Sequence, residues 1–278
     1  MVPCGRILEI PLILGFGYKS CSDRQGGGML RQTNIIAVTC LAREAFIARG
    51  NGVSVVCSQS SGLGAVLSAA IAPGVSGIIS FGIAGGLDPD LVAGDWVVAS
   101  AVRNGDRVIA TDFRWTQELL KRLPNAVVAD IIGSDVMVLN PSEKSHLYKK
   151  TGAAAADMES HVAAEIAATH SIPFASCRVI IDAAHRTLPP ATGLALRSNG
   201  TVDVPAVMRS ILQVPGQLPD LMLTAFDACV AERALRKGRA RLGHGLGSPY
   251  VNEGMAEREF AGQPDAVGLL TNSAVSVR

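Results

Sequence analysis

The chain has 278 residues and a formal net charge of +1; 48% of its residues are hydrophobic and 18% charged. That balance excludes an intrinsically disordered chain, and near-neutrality excludes a global basic field for nucleic acid. Six cysteines (Cys4, Cys21, Cys40, Cys57, Cys177, Cys229) form no CxxC pair and no metal-ligand spacing, so reduced thiols in a reducing, cytoplasmic compartment are expected. No apolar run approaches the roughly 20 residues that span a bilayer.

Residues 1–28 differ in character from the rest of the chain. The apolar run Ile10–Phe16 is interrupted by Pro11 and leads to Gly26-Gly27-Gly28 without an A-x-A cleavage pattern, so the segment is expected to be a disordered extension or a start placed ahead of Met29. From Asn34 onward the pattern is regular. Short apolar runs at Asn34–Thr39, Val53–Ser58 and Ser76–Phe81 read as strands, and Leu63–Ala72 has helical spacing between the last two. Gly82, Gly85 and Gly86 close the third strand, Gly94-Asp95 makes a turn, and Trp96–Val102 comes next as a strand. Phe113–Leu123 is a predicted helix ended by Pro124, Ala126–Ile132 a strand and Ser142–Lys149 a helix. Four alanines at 153–156 favour extending a helix backward, yet Gly152 and Asp157-Met158-Glu159-Ser160 point to a strand entering a helix near Ser160. Phe174–Ile181 is β-rich and ends at Asp182, while Pro205–Leu212 and Pro219–Arg236 are helical with proline near each start. Alternating strands and helices imply a single α/β domain, a three-layer fold with a central mixed β-sheet flanked by helices. Its expected bounds are 29–247, with a disordered tail over 248–278.

Taken singly, the candidate site residues have ordinary explanations. Glu44 comes after the first strand and suits a general base, or simply a first-turn helix acid. Ser61-Gly62-Leu63-Gly64 resembles a dinucleotide loop, but Leu67 replaces the third glycine and no acid occurs before Leu87 to grip a ribose. Gly85 and Gly86 at a strand end allow close backbone approach to a ligand, or make a tight turn. Asp157 and Glu159 around Met158 can accept ribose hydroxyls, or form a surface acid cluster. Asp182 closes a strand broken only by Arg178, where desolvation favours a proton donor; an N-cap is the alternative. The histidines lack HExxH spacing and no GxSxG elbow is present, so neither a metal site nor a serine nucleophile is expected.

Read together and in order, four motifs resemble the purine nucleoside phosphorylase and methylthioadenosine nucleosidase superfamily. They are the first strand running into Glu44; Gly82-Ile83-Ala84-Gly85-Gly86-Leu87 with Gly94-Asp95; Asp157-Met158-Glu159-Ser160; and Ile172-Pro173-Phe174 leading through Arg178 to Asp182. Downstream, Asp182-Ala183-Ala184-His185-Arg186-Thr187-Leu188-Pro189-Pro190 and Pro215-Gly216-Gln217-Leu218-Pro219 are similar to the hopanoid-associated phosphorylase branch. That branch is linked to release of adenine from adenosylhopane.

The resemblance implies an enzyme that cleaves the N-glycosidic bond of a purine nucleoside without a cofactor or metal. Asp182 would protonate the leaving purine at N7, and Glu44 would activate water. Glu159 would accept the ribose hydroxyls, with Met158 packing on the sugar. Met137, Val138 and Gly85 would contact the substrate. Arg43 occupies the position of a phosphate-binding arginine, so the chain carries one nucleosidase feature and one phosphorylase feature. The nucleophile stays open between water and phosphate, with a lean to phosphate. Rival readings are a methylthioadenosine or S-adenosylhomocysteine nucleosidase and a non-catalytic nucleoside-binding protein. Partners by the same resemblance would be a lipid-tailed nucleoside and further copies of the chain in a homo-oligomer. The basic residues Arg233, Arg236, Lys237, Arg239 and Arg241 suit either a solvated helix end or weak contact with an anionic membrane surface.

Overall fold

A computed structural model describes residues 34–58, 60–189 and 204–251. The expected extension over 1–28, the Pro190 end of the downstream motif and residues 252–278 lie outside the described residues. In chain order the elements are β1 (Asn34–Thr39), α1 (Ala42–Ala48), β2 (Val53–Cys57), α2 (Ser60–Ala70), β3 (Val75–Gly86), β4 (Trp96–Asn104), β5 (Arg107–Ala110) and α3 (Phe113–Arg122). They continue with β6 (Val127–Gly133), α4 (Pro141–Thr151), β7 (Ala155–Asp157), α5 (Ser160–Thr169), β8 (Phe174–Asp182), α6 (Val204–Gln213) and α7 (Leu218–Leu242).

All eight of these strands join one mixed sheet. Its hydrogen-bonded order is β2-β1-β3-β7-β6-β4-β5, and β8 pairs with both β3 and β4. Because β3 and β4 are also linked through β7 and β6, the strands β3, β7, β6, β4 and β8 close into a ring. The pairing is parallel for β3 with β8 and antiparallel for β4 with β8.

Side-chain alternation along the strands sends apolar residues to two separate cores. Along β1, Ile35 and Ala37 join Phe81, Trp96, Trp115, Leu119 and Leu235, whereas Ile36 and Val38 join Leu63, Leu67, Ile78, Ala163 and Ala167. Helices α3 and α7 therefore cover one face and α2 and α5 the other, which is the layered arrangement expected from the sequence.

The glycines after Phe81 do not end β3. The strand runs on to Gly86 because Gly82 pairs with Arg178 and Gly85 with Asp182 on β8, while Gly85 and Gly86 pair with Ala156 and Ala155 on β7. Backbone partners on both sides replace the side-chain packing that glycine lacks. The four alanines conform to the strand reading: Gly152 caps α4 at φ +70°, and Ala155–Asp157 then forms β7. Helix α3 is started by Asp112, whose side chain accepts the Trp115 amide at 2.8 Å.

The packed domain extends past the expected bound at residue 247. Leu246 and Val251 are buried, Trp115 Nε1 donates to the Leu246 carbonyl at 3.1 Å, and the Tyr250 hydroxyl meets Asp112 Oδ2 at 2.6 Å. Residues 248–251 are therefore part of the packed domain. Val251→Ala should lower the unfolding free energy by about 2 kcal/mol, the loss of two buried methyl groups plus a cavity. Urea unfolding measures this, and an unchanged midpoint would show that these residues add nothing to the packed domain.

Candidate active site

The C-terminal ends of β1, β3 and β8 converge with β7 and α5 on one cavity of 410 Å³. Seven of the eight sequence-predicted site residues line it: Glu44, Gly85, Met137, Val138, Met158, Glu159 and Asp182. The eighth, Arg43, does not. Its side chain is 69% exposed and its Nε lies 2.5 Å from Glu232 of α7. Consecutive residues of α1 point about 100° apart, so burying Glu44 turns Arg43 outward. The expected phosphate ligand is thus a surface ion pair outside the cavity.

Glu44 is held by backbone. Its Oε2 accepts the amides of Cys40 at 3.0 Å and Leu41 at 2.8 Å, and its Oε1 accepts the Ile83 amide at 2.7 Å. Burial pushes its carboxyl above the ordinary range, against the opposing pull of Arg178 and these donors. This approach explains Gly82, where an added Cβ would lie 2.3 Å from Glu44 Oε1 and 2.7 Å from an Arg178 nitrogen.

Arg178 organises the floor of the site. Fully buried on β8, its Nε is 2.7 Å from Asp157 Oδ2 and its Nη2 donates to Glu159 Oε2 at 3.2 Å and to the Ser80 hydroxyl. Burial opposes its charge, but Asp157, Glu159 and Glu44 favour it by more, and the guanidinium stays cationic. A hydroxyl cluster backs the group, with Ser160 Oγ 2.9 Å from Ser80 Oγ and 3.1 Å from Ser176 Oγ. Ser160 also donates its amide to Asp157 Oδ1 at 3.0 Å, which fixes Asp157 at the start of α5.

Glu159, the residue at the N-cap of α5, has a different status. Arg178 takes Oε2, but Oε1 is buried with no hydrogen-bond partner among the described residues. Burial, with added repulsion from Asp157 and Glu44 and relief from Arg178 and the neighbouring Cys40 thiol, lifts its carboxyl to about 7. An unsatisfied buried acceptor on a cavity wall is an energetic cost that a ligand hydroxyl relieves.

At the other side of the cavity, burial raises the Asp182 carboxyl and Lys144 opposes that rise. Lys144, fully buried on α4, pairs with Asp182 Oδ2. Ile83 and Gly85 are two residues apart on β3, roughly 7 Å along a strand. Glu44 accepts the Ile83 amide, and Asp182 Oδ1 lies 3.4 Å from the Cβ position of Gly85. The same strand therefore contacts both acids, at positions two residues apart.

Sequence reasoning missed the roles of Arg178 and Lys144. Arg178 left one clue, a cation inside an apolar strand. Lys144 left none, since a lysine in the polar helix Pro141–Thr151 looks solvated. The basic stripe on α7 is also less free than its sequence suggests. Arg239 donates to the carbonyls of Ala48 at 2.9 Å and Gly243 at 2.7 Å, and Arg236 pairs with Glu232 at 2.8 Å.

No helix among the described residues is long and apolar enough to cross a membrane, and these residues present no cluster of metal-ligating side chains. Cys40, Cys57, Cys177 and Cys229 are free thiols.

A mixed α/β sheet whose strand ends gather buried acids around one cavity is the framework of a ligand-binding site. The Phosphorylase superfamily model matches residues 32–201, more than half of the chain. The chain belongs to the Phosphorylase superfamily, a family of nucleoside-cleaving phosphorylases and nucleosidases. Similar solved folds include the native futalosine hydrolase of Helicobacter pylori, at TM-score 0.53 and 13% identity over 81% of this chain and 98% of that one. A point mutant of the Helicobacter pylori methylthioadenosine/S-adenosylhomocysteine nucleosidase, solved with 5'-methylthioadenosine in its active site, aligns at TM-score 0.52 and 14% identity over 81% and 99%. A Francisella philomiragia protein described as a putative nucleosidase of that type aligns at 0.51 and 18% identity over 76% and 96%. Comparison with curated proteins finds no match.

Arg178→Met should destabilise the fold by about 3–5 kcal/mol at pH 8, because it leaves Asp157 and Glu159 buried beside no cation. The deficit should shrink as pH falls, since carboxylates that retain protons in the folded state favour folding at lower pH. Urea unfolding at pH 5 and pH 8 checks both, and equal stability to the wild type at pH 8 would contradict the role assigned to this cation.

Proposed function

We propose that the protein hydrolyses the N-glycosidic bond of a purine nucleoside. The observation that carries the reading is the placement of Asp182, Glu44 and Glu159 on one cavity with Glu159 Oε1 left unpartnered among the described residues. In this reading the ribose hydroxyls donate to Glu159, Met158 packs on the sugar, and Met137 and Val138 contact the base beside Gly85. As the C1′–N9 bond breaks, its electron pair moves to the purine and Asp182 delivers a proton to N7. Positive charge grows on the ribose, where the carboxylates of Glu159 and Glu44 stabilise it. Glu44 then orients and deprotonates the attacking water.

Water is favoured over phosphate by the charges in place. Lys144 on the cavity wall and Arg178 behind it are already engaged by carboxylates, Arg178 by Asp157 and Glu159, and Lys144 by Asp182. A phosphate dianion would enter against Glu44 and Glu159 without an added positive charge. Arg43, the residue that suggested phosphate, is turned to Glu232.

For the substrate, we take adenosylhopane from the downstream resemblance. Support comes from α7, which contributes Leu221, Thr224, Ala225 and Ala228 to the cavity wall and leaves Met222 and Phe226 exposed nearby. An apolar nucleoside substituent suits that wall better than a charged one. The corresponding assay compares adenine release from adenosylhopane with release from methylthioadenosine and S-adenosylhomocysteine; a clear preference for the latter two would replace the hopanoid reading.

Adenine release should proceed in phosphate-free buffer, with the free sugar as product, and Glu44→Gln should reduce it at least about a hundredfold. A requirement for phosphate with a sugar 1-phosphate product would overturn hydrolysis and leave the other roles untouched. Asp182→Asn should bind substrate but lose about 10²–10⁴-fold in kcat, since an amide has no proton to give N7. Glu159 is protonated below about 7, so its charged acceptor is gained as pH rises. The kcat/KM profile should therefore climb through that pH, and Glu159→Gln should lack this limb.

A further inference from the structure

Lys144 is the sole buried residue of α4. Its position in that helix does nothing for the helix itself. Pro141 is the first residue, so the ammonium sits near the positive end of the helix dipole, where a cation is unfavourable. Burying a lysine is a further cost unless all three N–H donors find partners. They do. Nζ pairs with Asp182 Oδ2 and lies 3.1 Å from the Ala183 carbonyl and 3.4 Å from the Arg186 carbonyl. The latter two belong to the turn after β8, which the Arg186 amide closes on the Ala183 carbonyl at 3.0 Å. The lysine thus contacts the carboxyl oxygen of Asp182 and the turn that carries it, while also lining the cavity. Both carboxyl oxygens stand beside Gly85, Oδ1 3.4 Å and Oδ2 3.6 Å from its Cβ position, so it is the pairing of Oδ2 with Lys144 that leaves Oδ1 as the oxygen facing away from the lysine.

We propose that Lys144 is a positioning residue that turns Asp182 Oδ1 toward the leaving base and sets its acid strength by stabilising the carboxylate formed when the proton departs. The proposal rests on Asp182 being the acid that serves the base. In the step itself the C1′–N9 bond breaks and its electron pair passes to the purine. The Asp182 O–H bond breaks and an N7–H bond forms. The negative charge left on Asp182 appears next to an ammonium that was there beforehand, in a site with little water to screen it. Lys144 neither gains nor loses a proton. Without the ammonium, a buried carboxylic acid gives up its proton reluctantly. The remaining charged groups around the pair are Asp227 of α7, whose charge acts on Asp182, and Arg186, whose Nη2 holds Asp227 at 2.8 Å. Asp227 raises the Asp182 carboxyl, as burial does, and Lys144 is the cation that acts on it in the opposite sense.

The test uses Lys144→Met and Lys144→Gln, checked for folding by circular dichroism, with methylthioadenosine and 4-nitrophenyl riboside as substrates. For the purine nucleoside, both variants should lose roughly 10–100-fold in kcat with KM within about threefold, and the basic limb of the kcat profile should move to higher pH. The nitrophenyl riboside, whose leaving group needs no proton, should be cleaved at near wild-type rate. Lys144→Arg, which keeps a cation, should recover part of the loss. Equal losses on both substrates, or an unmoved basic limb, would reduce Lys144 to a structural role. Should both uncharged variants fail to fold, Lys144→Met combined with Asp182→Asn removes both charges at once; a rate below that of Asp182→Asn alone would then refute action through Asp182. If Asp182→Asn itself retains full activity, the assignment of Asp182 fails instead.

Discussion

A guanidinium buried without exposure under the floor of the cavity is the interaction on which the site depends. Arg178 is surrounded by Asp157, Glu159, the Ser80 hydroxyl and the Ile83 carbonyl. None of those carboxylates would be tolerable inside the ring of strands without a cation, and the cation would not be tolerable without them. The cluster also ties together elements distant in sequence. It links β3, the β7–α5 junction and β8, so the positions of Glu159 and of the β3 backbone are set by one planar donor with fixed geometry. Lysine at position 178 would supply charge but not the simultaneous reach to Asp157, Glu159 and Ser80.

Two ion-paired centres then divide the work of the cavity. In the proposed reaction, the Arg178 centre is the one whose acids meet the positive charge on the sugar, and the Lys144 centre is the one whose acid serves the leaving base. Between them runs β3, whose backbone serves both. Ile83 gives its amide to Glu44, and the absent side chain at Gly85 leaves room beside Asp182. Small residues here are a matter of access rather than flexibility. A Cβ at Gly82 would meet Glu44 and Arg178 together, so the closeness of these two charged groups is possible because a glycine lies under them.

What could be read from the sequence depends on which interactions are local. The apolar runs of β1 and β8, the strand-to-helix change at Asp157–Ser160, and the breaker residues Pro124 and Gly152 are encoded within a few positions, and the elements conform to them closely. The acids lining the cavity were legible because their order along the chain matches a family pattern. Arg43 shows the limit of that inference. Its position matches, yet helix α1 turns its side chain away from Glu44 toward α7, and sequence carries no sign of Glu232 arriving there 189 residues later. Lys144 is the converse. Nothing around it signals burial, because its partners are brought in by the end of β8. The continuation of β3 through its glycines was hidden for the same reason, since the pairing with β7 and β8 that sustains it is long-range.

The placement of charge also bears on how the fold tolerates its own site. At least six ionisable side chains (Glu44, Lys144, Asp157, Glu159, Arg178 and Asp182) are buried at or beside the cavity, and buried ion pairs generally contribute little net stability. Stability must come from elsewhere, and the two apolar cores on either face of the sheet supply it. Their separation has a consequence. Helices α2 and α5 pack one face while α3 and α7 pack the other, but α7 also forms part of the cavity wall through Leu221, Thr224, Ala225 and Ala228. Farther along the same helix, Ala231, Leu235 and Leu242 are buried in the core. Its second half is thus anchored by packing, and its first half is left to shape the mouth of the site. Changes in Leu221 or Ala225 can reshape this wall of the cavity without touching the core, whereas Asp157 and Glu159 cannot move without Arg178.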